Sequence, residues 1–256
     1  MALTNLIPKR KGLIGDVPVV TPPDLFTFGS GTKVIEALKN ANEVLRALQI
    51  FKGVYWFNNN WLPAGMIDNG VVDTGLVAWA DDLVILSTGA NSGGVAYVNK
   101  AARAFVEYVS IEVKPHYFGV CVTPQSITKQ NIHLVCGVIS DKTSPINSGI
   151  HIGFKCIDGV ISGTVGDSAN EATVILETLT VGGGDLILEC IFRPTEGCVF
   201  YVNQVFKGRI SATTAGFPIT NPSVTTIGGM LNASIHSTEA ANKILYIYTS
   251  RTLREE

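Results

Sequence analysis

The sequence predicts an all-β protein, two stacked antiparallel sheets forming a sandwich, preceded by an extended arm and one short helix. Three observations carry this expectation. From Val54 onward, short runs rich in Val, Ile, Phe and Tyr alternate apolar with polar residues, the period-2 signature of half-buried strands. Asp158-Gly159 and Asn203-Gln204 separate such runs by two residues, as tight hairpins require. Gly, Asn and Pro punctuate the remainder at the spacing that two antiparallel sheets demand. A chain of 256 residues with 46% hydrophobic content suits one large β domain plus an appendage.

From the N-terminus, residues 1–30 hold Pro8, Pro18, Pro22 and Pro23 among Gly12, Gly15 and Gly29, with only short apolar pieces between them. Such a segment reads as an extended attachment arm, and a disordered tail is the competing reading. Lys9, Arg10 and Lys11 offer it a basic cluster, and Phe26 and Phe28 offer apolar contacts. Residues 31–53 carry the helix signal. Val34, Leu38, Ala41, Leu45 and Leu48 follow a heptad spacing after Ser30 or Thr32 as N-cap, and Gly53 ends the run. Two heptads are too short to stand alone. The seam therefore packs either on its own domain or against the same helix of neighbouring subunits, which would make a homotrimer.

Residues 54–256 form the expected sandwich. Strand candidates are Leu83–Leu86, Ala104–Val113, His133–Ile139 and Ile150–Cys156. Gly182-Gly183-Gly184-Asp185 is expected to turn Ala172–Val181 back against Leu186–Phe192 as a hairpin. Cys190–Gly208 reads as strand, turn, strand, two-residue turn, strand. The segments Thr225–Gly229 and Ile244–Glu256 complete the pattern.

The order of these last segments resembles the concanavalin A-like lectin and glucanase superfamily, in its laminin-G-like form. The carriers are Phe200-Tyr201-Val202-Asn203 with Gly208, then Thr226-Ile227-Gly228-Gly229, then the terminal strand. The resemblance covers 54–256 and implies a jelly-roll sandwich; a fold of this kind does not by itself dictate function. It also directs attention to Glu107-Tyr108-Val109-Ser110-Ile111-Glu112, because glucanases of this fold use two glutamates around an aspartate. Here Val109 stands where the aspartate belongs, and alternation puts Glu107 and Glu112 on opposite faces. Solvent-facing glutamates and no catalytic residues are the expectation.

Composition narrows the partners. A net charge of -2 with 16% charged residues provides no electrostatic footprint for nucleic acid or an anionic membrane surface, and no apolar run is long enough to span a bilayer. The first twenty residues make a poor signal peptide, since Asp16 and Pro18 break the apolar run. Cys121, Cys136, Cys156, Cys190 and Cys198 are an odd set without metal-ligand spacing, read as reduced thiols, with Cys190 and Cys198 placed to face each other across a hairpin. His116, His133, His151 and His236 are scattered, so no metal or cofactor is expected. Asp81, Asp82 and Asp141 are the only calcium candidates, and exposed loop acids are the favoured reading. Among Trp56, Trp61 and Trp79, Trp61 beside Asn59 and Asn60 is the candidate for stacking on a sugar, against packing as the simpler role.

The resulting expectation is a non-enzymatic virion protein, of capsid-decoration, head-fibre or tail-fibre type, from a bacteriophage. It would be made in the host cytoplasm and displayed on the virion surface. It would contact itself, other virion proteins through the arm, and host-surface carbohydrate. A divergent polysaccharide hydrolase and a stand-alone carbohydrate-binding module remain the alternatives.

Overall fold

The computed structural model describes residues 53–58, 67–80, 83–100, 115–167, 169–217 and 231–254. The expected arm, the helix, the strand Ala104–Val113 and the segment Thr225–Gly229 lie outside the described residues. The described residues form fifteen strands. They are β1 (Gly53–Asn58), β2 (Ile67–Val72), β3 (Leu76–Ala80), β4 (Leu83–Ser87), β5 (Val95–Lys100), β6 (His116–Pro124), β7 (Gln130–Gly137) and β8 (His151–Ile157). The chain continues with β9 (Val160–Gly166), β10 (Glu171–Thr178), β11 (Leu186–Arg193), β12 (Gly197–Val202), β13 (Val205–Ser211), β14 (Leu231–Ser237) and β15 (Ile244–Arg254).

These strands build two antiparallel sheets. One has eight strands, in the order β13-β12-β11-β6-β15-β4-β3, with β1 also paired to β15. The other has seven, in the order β10-β9-β8-β7-β14-β5-β2. The eleven-residue β15 is long enough to pair with β4 through Ile244–Ile247 and with β1 through Thr249–Arg254. The all-β sandwich expected from alternation is therefore what the chain forms.

Alternation also fixes the core. Ile132 and Leu134 of β7, Ile152 and Phe154 of β8, and Ala233 and Ile235 of β14 face Phe118 and Val120 of β6 and Phe192 and Phe200 of the facing sheet. Phe154 spans the gap, with ring centroids 6.5 Å from Phe118 and 5.6 Å, edge-on, from Phe200. Phe200 fits because Gly163 lies beneath it; a Cβ there would fall 2.6 Å from the ring. Among the cysteines, Cys136, Cys156, Cys190 and Cys198 are buried, and all five remain thiols, with no disulfide among them. Burial pushes the Cys156 thiol up to about 11.

Two turns match their sequence signals. Asp158 and Gly159 both have positive φ, 47° and 79°, and join β8 to β9. Asn203 and Gln204, at 50° and 65°, join β12 to β13. The Gly182–Asp185 turn differs from expectation. β10 pairs with β9 and ends the seven-stranded sheet, whereas β11 lies between β12 and β6 in the other sheet. The glycine-rich segment therefore crosses between sheets, tied by the Gly183 N–H donating to the Pro124 carbonyl. Alternation reports which residues are buried; it does not report in which of two apposed sheets they lie.

Candidate functional site

The outer face of the seven-stranded sheet carries an unusual set of side chains. Register places Ser162 of β9, Lys155 of β8, His133 of β7, Ser234 of β14 and Tyr97 of β5 in one row across the strands. Residues in such a row neighbour one another on the same face. An outer face is ordinarily wet, yet His133 is only 1% exposed and Ser234 is fully buried. Their cover is the segment 138–149, which links β7 to β8 and lies over the row as a strap. Lys155 Nζ donates to the Pro145 carbonyl at 3.2 Å, and Asn131 Nδ2 donates to the Thr143 carbonyl at 3.4 Å. Lys142 Nζ sits 3.0 Å from the centroid of the Tyr97 ring.

The strap is held at its base by buried Asn147. Its Oδ1 accepts from the Ser140 N–H, the Ser140 hydroxyl and the Gly149 N–H, and its Nδ2 donates to the Val138 carbonyl. Asp141 accepts from both the N–H and the hydroxyl of Thr143, each at 2.8 Å. Those bonds hold its carboxyl below the usual range. This is where the structure places the one calcium candidate that is described. Among the described residues, no three His, Cys, Asp or Glu side chains are grouped to hold a metal.

On the β10 side of the row the polar groups are joined. Lys155 Nζ donates to Glu171 Oε2 at 2.5 Å, and Thr164 Oγ1 donates to Glu171 Oε1 at 2.7 Å. His151 Nδ1 lies 2.5 Å from the Gly149 carbonyl and Nε2 2.8 Å from Thr164 Oγ1. Gly166 makes the approach feasible, since a Cβ there would strike the His151 ring at 2.5 Å. Complete burial holds the His151 ring neutral, with its pKa lowered to about 4. A neutral ring that donates from Nδ1 must accept at Nε2, so the single Thr164 proton is shared between His151 and Glu171.

At the centre the pattern changes. Neither ring nitrogen of His133 has a hydrogen-bond partner, and neither does the Ser234 hydroxyl opposite it. Burial is the main force lowering the His133 pKa to about 4, with the charge of Glu171 opposing it. A neutral imidazole offers one donor and one acceptor, and a hydroxyl offers both. Two unpaired buried groups of this kind side by side are uncommon, because each forgoes the hydrogen bond that repays its desolvation.

The sequence-predicted candidates fall elsewhere. Trp61, Asn59 and Asn60, the seam Val34, Leu38, Ala41, Leu45 and Leu48, the arm residues Lys9, Arg10, Lys11, Phe26 and Phe28, and Asp81 and Asp82 lie outside the described residues. So do Glu107, Val109 and Glu112. Trp56 and Trp79 lie on β1 and β3 of the other sheet. Scattered in sequence, two of the histidines nevertheless share a face of adjacent strands. In His133-Leu134-Val135-Cys136 and His151-Ile152-Gly153-Phe154-Lys155-Cys156, the outward positions include His133, His151, Gly153 and Lys155 next to core residues, and these polar or small interruptions of apolar strands are the signal that could find them.

No protein-family model matches the chain, and no curated protein matches it. Solved structures do. The binding domain of botulinum neurotoxin DC, determined in complex with rat synaptotagmin II, aligns at TM-score 0.50 and 8% identity, over 80% of this chain and 48% of that one. A botulinum neurotoxin type C structure, from a toxin whose cell entry depends on interaction with two ganglioside molecules, aligns at 0.48 and 10%, over 82% and 49%. A protein of unknown function from Shewanella oneidensis MR-1 aligns at 0.48 and 11%, over 84% and 93%. The chain thus spans less than half the length of these two neurotoxin chains. What it shares with the first of them is the fold, a two-sheet β sandwich.

Proposed function

We propose that this chain is a non-enzymatic binding module, a virion structural or adhesion protein whose lectin-like sandwich binds host-surface glycans. The observation that carries the reading is the row Lys155–His133–Ser234–Tyr97, in which the neutral donors and acceptors of His133 and Ser234 stand unpaired beside an aromatic ring. A sugar is recognised by that combination: hydroxyls take the donors and acceptors, and the apolar ring face takes the aromatic. Glu171, the carboxylate joined to this row, has both oxygens engaged by Thr164 and Lys155, which favours binding over hydrolysis. The neurotoxin DC domain, of the same fold, is a binding domain determined in complex with synaptotagmin II, and this supports a surface-recognition role.

The virion assignment rests on different features. Five cysteines without a disulfide suit synthesis in a reducing cytoplasm. The Pro-rich arm, with Lys9, Arg10, Lys11, Phe26 and Phe28, suits attachment to other virion proteins. The seam Val34, Leu38, Ala41, Leu45 and Leu48 suits a homotrimer. Trp61, Asn59 and Asn60 supply a second set of glycan contacts in this reading. The test is a glycan array of bacterial surface polysaccharides combined with a reducing-sugar assay. Binding without release of reducing ends is the expected result. Release of reducing ends that disappears in Glu107→Gln would establish the hydrolase alternative, and absence of binding to every glycan would overturn the reading.

A further inference from the structure

The Tyr97 ring is in an arrangement that a simple surface tyrosine would not need. It lies over Gly70 of β2, where a Cβ would fall 2.6–2.7 Å from the hydroxyl and two ring carbons. Lys142 of the strap occupies the space over the ring, in cation–π contact. Beside the ring stands Ser234, its register partner, and beyond it His133, both buried and unpaired. The groups that suit a sugar are therefore assembled and covered, and the element covering them is the strap.

The strap is fastened to the sheet by polar contacts. Residues 141–146 are exposed or half-buried, and both apolar side chains among them, Pro145 and Ile146, are exposed, Ile146 to 62%. Lifting this stretch would unbury no aliphatic side chain of its own, so its own side chains contribute little hydrophobic hold. Among the contacts broken are the hydrogen bonds of the Thr143 backbone with Asn131 and His236, the Pro145–Lys155 hydrogen bond and the Lys142–Tyr97 contact, all groups that water or a ligand hydroxyl can satisfy. Asn147 remains as the hinge at the β8 end.

We infer that the stretch 141–146 of the strap is a displaceable cover, and that its opening lets a neutral pyranose unit stack on Tyr97 in place of Lys142 while its hydroxyls pair with Ser234 and His133. This deepens the glycan-binding reading and rests on it: Lys142 acts as an internal competitor for the sugar's position. Neutrality of the ligand comes from the surroundings. Lys155 is already matched by Glu171, and the unpaired groups carry no charge to attract an anion.

The competitor role gives an unusual sign to the test. The full chain and its Lys142→Ala, Tyr97→Leu and Ser234→Ala variants are titrated by calorimetry with neutral oligosaccharides of glucose, galactose, mannose and N-acetylglucosamine. Lys142→Ala, at a half-buried position whose side chain contacts the Tyr97 ring, is expected to bind about two- to fivefold more tightly than wild type, because the cation–π contact no longer has to be broken. Tyr97→Leu and Ser234→Ala are expected to bind about tenfold more weakly. Binding that Lys142→Ala weakens or leaves unchanged would overturn the inference and leave the glycan-binding reading standing. Absence of binding by wild type and Lys142→Ala alike to these sugars, with a positive glycan array, would overturn the neutral-pyranose assignment alone. A negative array as well would remove both.

Discussion

At the scale of single residues, His133 and His151 show how part of a β-sheet's outer face can be taken out of water and how that changes its chemistry. Each ring is held neutral by burial, with a pKa near 4 in the folded chain against an ordinary 6.5. His133 is faced by Glu171 from β10, by His151 and Lys155 from β8, and by Asp141 from the strap. Below pH 6.5 the unfolded chain takes up protons at these two positions while the folded chain does not. The folded state is thus favoured most above pH 6.5, and stability falls as pH drops from 6.5 towards 4, by at most about 1.4 kcal/mol per pH unit for each ring. Urea unfolding across that interval should show the decline, and His133→Gln should remove about half of the histidine-linked slope. A midpoint independent of pH between about 4 and 6.5 would show the rings to be solvated. Both residues are legible in sequence as strand positions, yet their meeting is not. His133 and Lys155 lie far apart along the chain, and only the β7–β8 register makes them neighbours.

At the scale of elements, the turns are the most legible part and the crossings the least. Asp158-Gly159 and Asn203-Gln204 act within two residues, so the chain itself specifies them. Gln204 is a poor occupant of its position, because a side chain at φ 65° crowds its own backbone. Gln204→Gly is expected to stabilise the fold by about 0.5–1 kcal/mol, read as a higher urea midpoint with an unchanged slope. A loss of stability would mean that the glutamine side chain contributes contacts outweighing the strain. The Gly182–Asp185 segment misleads for the opposite reason. Its glycines announce a change of direction equally well whether the chain returns along the same sheet or crosses to the next, and the choice is made by β9, which already pairs with β10, and by β6, distant in sequence, which takes β11. The strap is likewise invisible as a cover, since nothing local to Ser140–Ser148 says that it lies over β7, β8 and β5.

At the scale of the whole molecule, the sandwich arises from summed alternation. A slip of one residue in any strand would turn its core residues outward, so the fifteen described strands constrain one another. Two-sheet architecture is therefore legible where strand pairing is not. Assembly belongs to this scale too. If the seam Val34, Leu38, Ala41, Leu45 and Leu48 joins three copies, Leu45→Glu with Leu48→Glu should dissociate the oligomer by light scattering while the β circular dichroism persists. A wild-type monomer would end the trimer. Whether the covered polar row of the seven-stranded sheet is a glycan-binding surface without catalytic activity can be decided by NMR. The labelled full chain is mixed with the glycan selected on the array, and shifts are mapped while the glycan's own signals are followed over time. Perturbations centred on Tyr97, Asn131, His133, Ser234 and the strap, with the glycan intact, are the expected outcome. Perturbations centred instead on the outer face of the eight-stranded sheet, around Tyr201 and Phe206, or a glycan that shortens during the measurement, would refute it.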